Sequence, residues 1–576
     1  MNGAEYIIKF LEQKEVDIIF GYPGGAVLTL YDALYKAIEN KKDKKDKSGI
    51  KHILTRHEQG AIHAAEGYAQ TTKKTGVVFA TSGPGATNLV TGLADAMLDS
   101  VPIFAVTGQV RAWAVGHDAF QEADMLGVTL PITKHNYLVR DIKDLAYALE
   151  ETWQIARSGR FGPVLIDIPM NIFSEEMPEM PEPAEVKYIP KERKIINSFN
   201  EQKDRILNLL SHSFRPVILA GGGVTASENA PKLMQKFMNK YNIPCVFTLM
   251  GKSAADTSNP LALGMAGMHG LFCANKALAQ SDLIIAVGTR FSDRTIGDPK
   301  LFSQTKSIIH ADIDIAEISK NVKAGVPVVT DSAEFFRAML DLNITENKIL
   351  QWKNWHGEIL SQTPVGDHVA AAPFQKGAEE HLTMREIIRI VAELCDKFSD
   401  GDGSGITFVT DVGQHQMIAA QETKHKTPGT FITSGGLGTM GFGLPAAIGA
   451  AFGKTDGKVI LFSGDGGIQM NIQELATVRK TPVPVKIFIL DNNSLGMIRQ
   501  MQEHFYGGRY SQSILDDNPE FIKIAEAYGI KGVKISSRQN LRENIKAILN
   551  SDETVLVHVL TDPDETLFEL FDEEVK

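Results

Sequence analysis

Cysteine is scarce in this chain: Cys245, Cys273 and Cys395 are the only three in 576 residues, odd in number and far apart. That argues against a disulfide-stapled scaffold or a paired zinc-ligand motif and suits a reducing compartment. Basic charge is not in excess either, since 59 Lys and Arg against 70 Asp and Glu leave a net −11. Without a basic stripe, no nucleic-acid partner is expected. Long apolar runs are also missing. The stretch from Gly441 to Gly453 is short and broken by Pro445, so no membrane span is expected. The N-terminus carries Glu5 and Glu12 in a helix-like pattern instead of a basic start and an apolar core. A secretory signal is therefore not expected, and the cytoplasm is the expected location.

What the chain does have is length, 50 glycines and 43% apolar residues, enough for about three α/β domains. Two stretches of low periodicity, Ser174 to Lys194 and Thr363 to Glu380, divide it. The expected units are residues 1–173, 195–345 and 375–565. Short apolar runs alternate with helical patterns in each, as in Gly76–Ala80, Pro216–Ala220, Leu283–Val287 and Lys458–Phe462. That pattern predicts three doubly wound parallel-sheet domains of the α/β class. The lysine-rich insert Asn40–Ser48 reads as a solvated loop. A weak echo of Thr81–Thr87 in Thr433–Thr439 hints that the first and third units are related.

The third unit carries the strongest motif. Lys458–Phe462 reads as a strand, Gly464-Asp465-Gly466-Gly467 as a tight turn, Ile468–Arg479 as a helix and Val485–Leu490 as a second strand. In such a crossover both strands end at the same sheet edge, which brings Asp465 toward Asn492, 27 residues later. The glycines admit a phosphate close to the backbone, and the helix start offers free N–H groups. A hard carboxylate oxygen and a neutral amide oxygen suit Mg²⁺, with positions left for diphosphate oxygens.

This pattern resembles the thiamine-diphosphate signature, in which the residue two beyond the asparagine, here Ser494, gives its main-chain carbonyl to the metal. The resemblance adds Val412, Gly413, Gln414 and His415 as a second diphosphate segment and Gly438, Met440 and Met497 around the cofactor. Met440 would be the apolar wedge that bends it. Thiamine chemistry also needs a carboxyl group on the aminopyrimidine in a dry pocket, and Glu58 fits that role. Its surroundings, Gly21-Tyr22-Pro23-Gly24-Gly25-Ala26, Arg56-His57-Glu58-Gln59 and Thr81-Ser82-Gly83-Pro84-Gly85-Ala86-Thr87-Asn88, resemble the pyrimidine-binding domain of acetohydroxyacid synthase, also called acetolactate synthase. Pro23, Gly24, Pro84 and Asn88 would bind the cofactor, and Gly25, Phe120 and Gln121 would serve catalysis and the substrate pocket.

The middle unit resembles the FAD-contacting region of the same family. The implied contacts are Arg160, Gly221, Gly222, Thr248, Leu249, Met250, Gly267, Met268, His269, Gly288, Thr289, Arg290, Asp293, Arg294, Asp312, Ile313 and Asp331. The resemblance implies decarboxylation of pyruvate and transfer of its two-carbon unit to a second pyruvate or to 2-oxobutyrate, giving 2-acetolactate or 2-aceto-2-hydroxybutyrate. It also implies a homodimer with shared active sites. Pairing into tetramers and a small regulatory subunit stay open, as do a carboligase with another acceptor and a silent cofactor-binding subunit. Departures from the family pattern fall at Arg111, His117, Met170 and Met501 and in the tail after Glu565.

Overall fold

A run that is apolar at every position cannot turn one face to water, so it must lie in a sheet covered on both sides. A computed structural model of the chain places the runs there; it describes residues 1–43, 49–178, 198–363, 381–398, 405–454 and 456–567. Gly76–Ala80, Pro216–Ala220 and Leu283–Val287 are strands buried throughout, and the Lys458 run extends to Gly464. The expected breaks fall largely outside the described residues, at 179–194 and 364–380.

Three six-stranded parallel sheets result. The first holds β1 (Ile18–Gly21), β2 (Lys51–Leu54), β3 (Gly76–Ala80), β4 (Ile103–Gln109), β5 (His135–Leu138) and β6 (Val164–Pro169). The second holds β7 (Pro216–Ala220), β8 (Cys245–Phe247), β9 (Ala262–Met265), β10 (Leu283–Val287), β11 (Ser307–Asp312) and β12 (Val326–Val329). The third holds β13 (Ile406–Thr410), β14 (Phe431–Ile432), β15 (Lys458–Gly464), β16 (Val485–Asp491), β17 (Lys531–Ile535) and β18 (Val555–Leu560). Counted within each sheet, the first and third share the order 2-1-3-4-6-5, while the second runs 3-2-1-4-5-6, the order of dinucleotide-binding folds.

The first and third units are therefore topological repeats, but not through the segments whose sequences echo. Thr81–Thr87 follows β3, whereas Thr433–Thr439 follows β14, the counterpart of β2. The true counterpart of Thr81–Thr87 begins at the end of β15 with Gly464–Gly467. Small residues are needed wherever a strand hands over to a ligand-facing turn, so composition alone matched the wrong pair.

The two repeats meet through equivalent helices, Glu58–Thr72 after β2 and Gly443–Phe452 after β14. A Cβ at Gly449 would lie 1.8 Å from the Ala64 carbonyl oxygen, and one at Gly67 would lie 2.1 Å from that of Ala446. Only glycine lets these backbones touch.

Three expectations are corrected. The helix foreseen over Ile468–Arg479 is broken into Asp465–Gln469, a 3₁₀ turn at Ile472–Glu474 and Leu475–Val478. The break falls at Asn471, whose side-chain amide donates to the Gly441 carbonyl at 2.8 Å. The insert after Asn40 begins as helix, Leu28–Asp43, since lysine is a good helix former; its remainder, 44–48, lies outside the described residues. The middle unit continues past residue 345 through helix Glu346–Ser361, because Trp352 is buried in its core and donates to the Ser213 carbonyl at 3.1 Å.

Candidate active site

In a parallel sheet every strand points the same way, so the loops leaving the strand ends share one edge. Each site residue foreseen in the sequence lies at or beyond such an end, apart from Arg160, which reaches across from the first unit.

In the third unit, the register pairs Gly464 with Leu490 and so sets Asp465 beside Asp491 and Asn492. Asp465, Asn492 and Ser494 are all buried. The Asn518 side-chain amide donates to Asp465 Oδ2 at 2.7 Å and to Asp491 Oδ1 at 3.1 Å. His558 Nε2 lies 2.7 Å from Asp491 Oδ2. Burial, and then the Asp491 charge, pushes the Asp465 carboxyl up to about 7. A cation would relieve this crowding of buried carboxylates. The turn is a cradle: a Cβ at Gly467 would meet the Asp411 carboxyl at 2.9 Å, and one at Gly466 would meet Leu495 at 2.8 Å. His415, neutralised by burial with its pKa lowered to about 4, lies against Gly464. Among the described residues, its Nε2 and the Ser494 Oγ are buried without a hydrogen-bond partner. Met440 reaches toward the same cradle, its Cε 3.7 Å from where a Gly466 Cβ would stand. These groups fit a metal diphosphate: oxygen donors for Mg²⁺, and a glycine cradle with polar groups of unused capacity for the phosphates.

In the first unit, Glu58 opens helix Glu58–Thr72 and is buried, accepting a 2.9 Å hydrogen bond from the Asn88 amide. A Cβ on Gly85 would lie 3.2 Å from Glu58 Oε1, and one on Gly24 would lie 2.5 Å from Thr81. A Cβ on Gly83 would lie 2.7 Å from the Gln121 carbonyl. Glu58, Asn88, Pro23, Gly24, Gly25, Pro84 and Gln121 thus belong to one set of strand-end loops, with Phe120 beside them and 88% exposed. Arg111 and His117 are exposed on the same side of β4, and Met170 is half-buried at the end of β6.

Among the ties missed in the sequence are two groups of hydrogen bonds between the first and third units. Glu474 Oε1 accepts the backbone N–H groups of Arg56 at 2.8 Å and His57 at 3.1 Å, immediately before Glu58. Asp99 accepts from the Gly435 and Gly436 N–H groups at 2.8 and 2.7 Å, while Asp95 accepts from the Ser434 hydroxyl at 2.6 Å. Acids paired with N–H and hydroxyl groups hundreds of residues away leave no local signature.

A cavity of about 730 Å³ lies between the units. Arg160, Gly222, Thr248, Leu249, Met250, His269, Gly288, Thr289, Arg290, Asp293, Arg294, Asp312, Ile313 and Asp331 line it, as do Val412, Gly438, Met497 and Met501. Gly221, Gly267 and Met268 stand behind its wall: a Cβ at Gly221 would lie 2.1 Å from the Gly288 carbonyl oxygen, and Met268 donates to the Arg294 carbonyl at 2.8 Å. Asp99, Ser100, Ser227 and Glu317 add polar lining that the sequence did not reveal. Glu58, Phe120 and Gln121 are not part of this lining.

Fold and site are those of a three-domain thiamine pyrophosphate enzyme, and the family models agree. The N-terminal TPP binding domain matches residues 1–128, the central domain 204–339 and the C-terminal TPP binding domain 411–559. The chain is 43% identical to the acetolactate synthase large subunit of Lactococcus lactis over 97% of its own length and 92% of that protein. It is 43% identical to a probable acetolactate synthase large subunit of Methanocaldococcus jannaschii, covering 98% and 93%. With acetolactate synthase isozyme 2 large subunit of Escherichia coli it shares 40% over 99% and 97%. The chain belongs to the acetolactate synthase large-subunit family of thiamine pyrophosphate enzymes. Its cofactor is thiamine diphosphate.

Proposed function

We propose that the chain takes pyruvate as donor, with thiamine diphosphate held through Mg²⁺, and joins its two-carbon unit to pyruvate or 2-oxobutyrate, releasing CO₂. Bound thiamine diphosphate supplies an acidic thiazolium carbon and an electron sink for decarboxylation. Asp465, Asn492 and the Ser494 carbonyl would hold the cation, and Gly464–Gly467 and His415 would receive the diphosphate. Met440, whose Cε reaches toward Gly466, would pack against the cofactor. Glu58, fixed by Asn88, would hold a proton at the pyrimidine ring nitrogen. Phe120 and Gln121 would flank the acceptor and help keep water from the reacting atoms.

The carrying observation is a pair of strand-end clusters on the two topological repeats: buried Asp465, Asn492 and Ser494 beside the Gly464–Gly467 turn in the third unit, and Glu58 held by Asn88 in the first. Two copies of the chain, each giving its Glu58 half to the other's anchor half, would complete two sites. We further assign the middle unit to FAD. Its strand order and the cavity with Arg160, Arg290 and Arg294 support a dinucleotide with its diphosphate. Buried thiols at Cys245, Cys273 and Cys395 suit the reducing cytoplasm.

The test is incubation of the purified protein with pyruvate, thiamine diphosphate and Mg²⁺, with and without FAD, and measurement of acetolactate. Acetolactate is the expected product. No product in any arm, including added 2-oxobutyrate and a candidate small subunit, would overturn the reading.

A further inference from the structure

The carboxamide of an asparagine gives a metal its oxygen only when its nitrogen is turned away. At Asn492 that choice is set from the far end of the chain. Two backbone groups of the C-terminal tail have fixed roles, since an N–H can only donate and a carbonyl can only accept. The Leu567 N–H donates to Gln500 at 3.2 Å, which makes the receiving atom Oε1. The Gln414 side chain meets that same Oε1 at 3.0 Å and the Glu565 carbonyl at 2.8 Å. Both are acceptors, so the Gln414 atom between them is its nitrogen. Its oxygen then faces Asn492, whose Nδ2 donates to it at 3.2 Å. The Asn492 Oδ1 is thereby turned away from Gln414 and left for another partner.

The relay is buried, since Asn492, Gln414, Gln500 and Leu567 are each at most 4% exposed. Reversing any one amide would set donor against donor or acceptor against acceptor, which is costly away from water. Gly496 makes the close approach possible: a Cβ there would lie 1.9 Å from the Gln414 oxygen. The tail is itself pinned, because the Glu565 carboxylate accepts from the Met384 and Arg385 N–H groups at 2.6 and 3.2 Å at the start of helix Met384–Phe398.

We propose that Gln500 and Gln414 are positioning residues through which tail residues 565–567 set the orientation of Asn492 toward the divalent cation. This rests on the reading of Asn492 as a metal ligand. Removing partners that orient a metal ligand weakens metal affinity by about 10- to 100-fold.

The test uses Mn²⁺ in place of Mg²⁺, with thiamine diphosphate present, and counts free Mn²⁺ by its EPR signal. Gln500→Ala and a chain ending at Asp564 should each bind Mn²⁺ about 10- to 100-fold more weakly. A chain ending at Leu567, which keeps both tail contacts, should bind as the full chain does. Gln500→Glu, which still accepts from the same two donors, should recover most of the affinity. Native affinity in a Gln500→Ala protein that melts like the parent would overturn the relay, as would equal effects from the two truncations. If the shorter chain does not fold, the two Gln500 variants decide. Asn492→Ala separates the premises: undiminished Mn²⁺ binding there would refute the metal-ligand reading itself, whereas weakened binding there beside an unaffected Gln500→Ala would refute only the relay.

Discussion

Asn88 donates its side-chain amide to the Glu58 carboxyl at 2.9 Å, so the acid that opens helix Glu58–Thr72 is held in one direction by its own domain. Glu58→Gln keeps the shape and removes the acid. Thiamine diphosphate binding by calorimetry should persist while turnover falls about 10²- to 10⁴-fold. Full activity in this variant would refute the assigned role.

Asp465→Ala removes the carboxylate at the Gly464–Gly467 turn, where the cation is proposed to sit. The parent should melt at a higher temperature when Mg²⁺ and thiamine diphosphate are added together, because a ligand that binds only the folded state stabilises it. The variant should show no such rise. An undiminished shift would place the cation elsewhere.

Gly449→Ala would drive a methyl group to within 1.8 Å of the Ala64 carbonyl oxygen. The helices would have to separate, at a cost of about 3 kcal/mol, read as a lower midpoint of thermal unfolding. A midpoint equal to the parent's would mean the crossing has slack.

A buried acid cluster beneath the Ser434–Thr439 loop makes stability depend on pH. Burial, together with neighbouring acids, raises Asp95 and Asp99 to about 7, and holds Glu66 well above the usual carboxylate range. His63, Asp411 and Arg290 face the same cluster. Folded pKa values above the unfolded ones mean that the protonated cluster favours the folded state. That contribution is complete below the ordinary carboxylate pKa and is lost as pH rises through about 7 for Asp95 and Asp99, and through the raised pKa of Glu66. Glu66→Gln, neutral at every pH, should lose less of its melting midpoint than the parent between mildly acidic and alkaline buffer. Parallel losses would refute this account.

Strands with local signatures were legible in sequence. The runs at Gly76, Pro216 and Leu283 have one physical solution, and their bounds came out as read. The meeting of Gly464–Gly467 with Asn492 was legible because only one crossover separates them. Contacts across hundreds of residues were not. Nothing near Glu474 announces the Arg56 and His57 amides, and nothing near Asn471 announces the Gly441 carbonyl that ends its helix. The echo between Thr81–Thr87 and Thr433–Thr439 misled because turn composition carries no strand order.

The three cysteines are buried, and burial pushes the Cys395 thiol up to about 12 and the Cys245 thiol higher still. Thiols that do not meet solvent are not reached by maleimides. The molecule is thus chemically silent to such reagents and needs no cysteine removed before labelling. A single cysteine at Phe120, 88% exposed in the isolated chain, would be a lone reactive handle. Its labelling rate would report whether a second copy covers that surface as protein concentration rises.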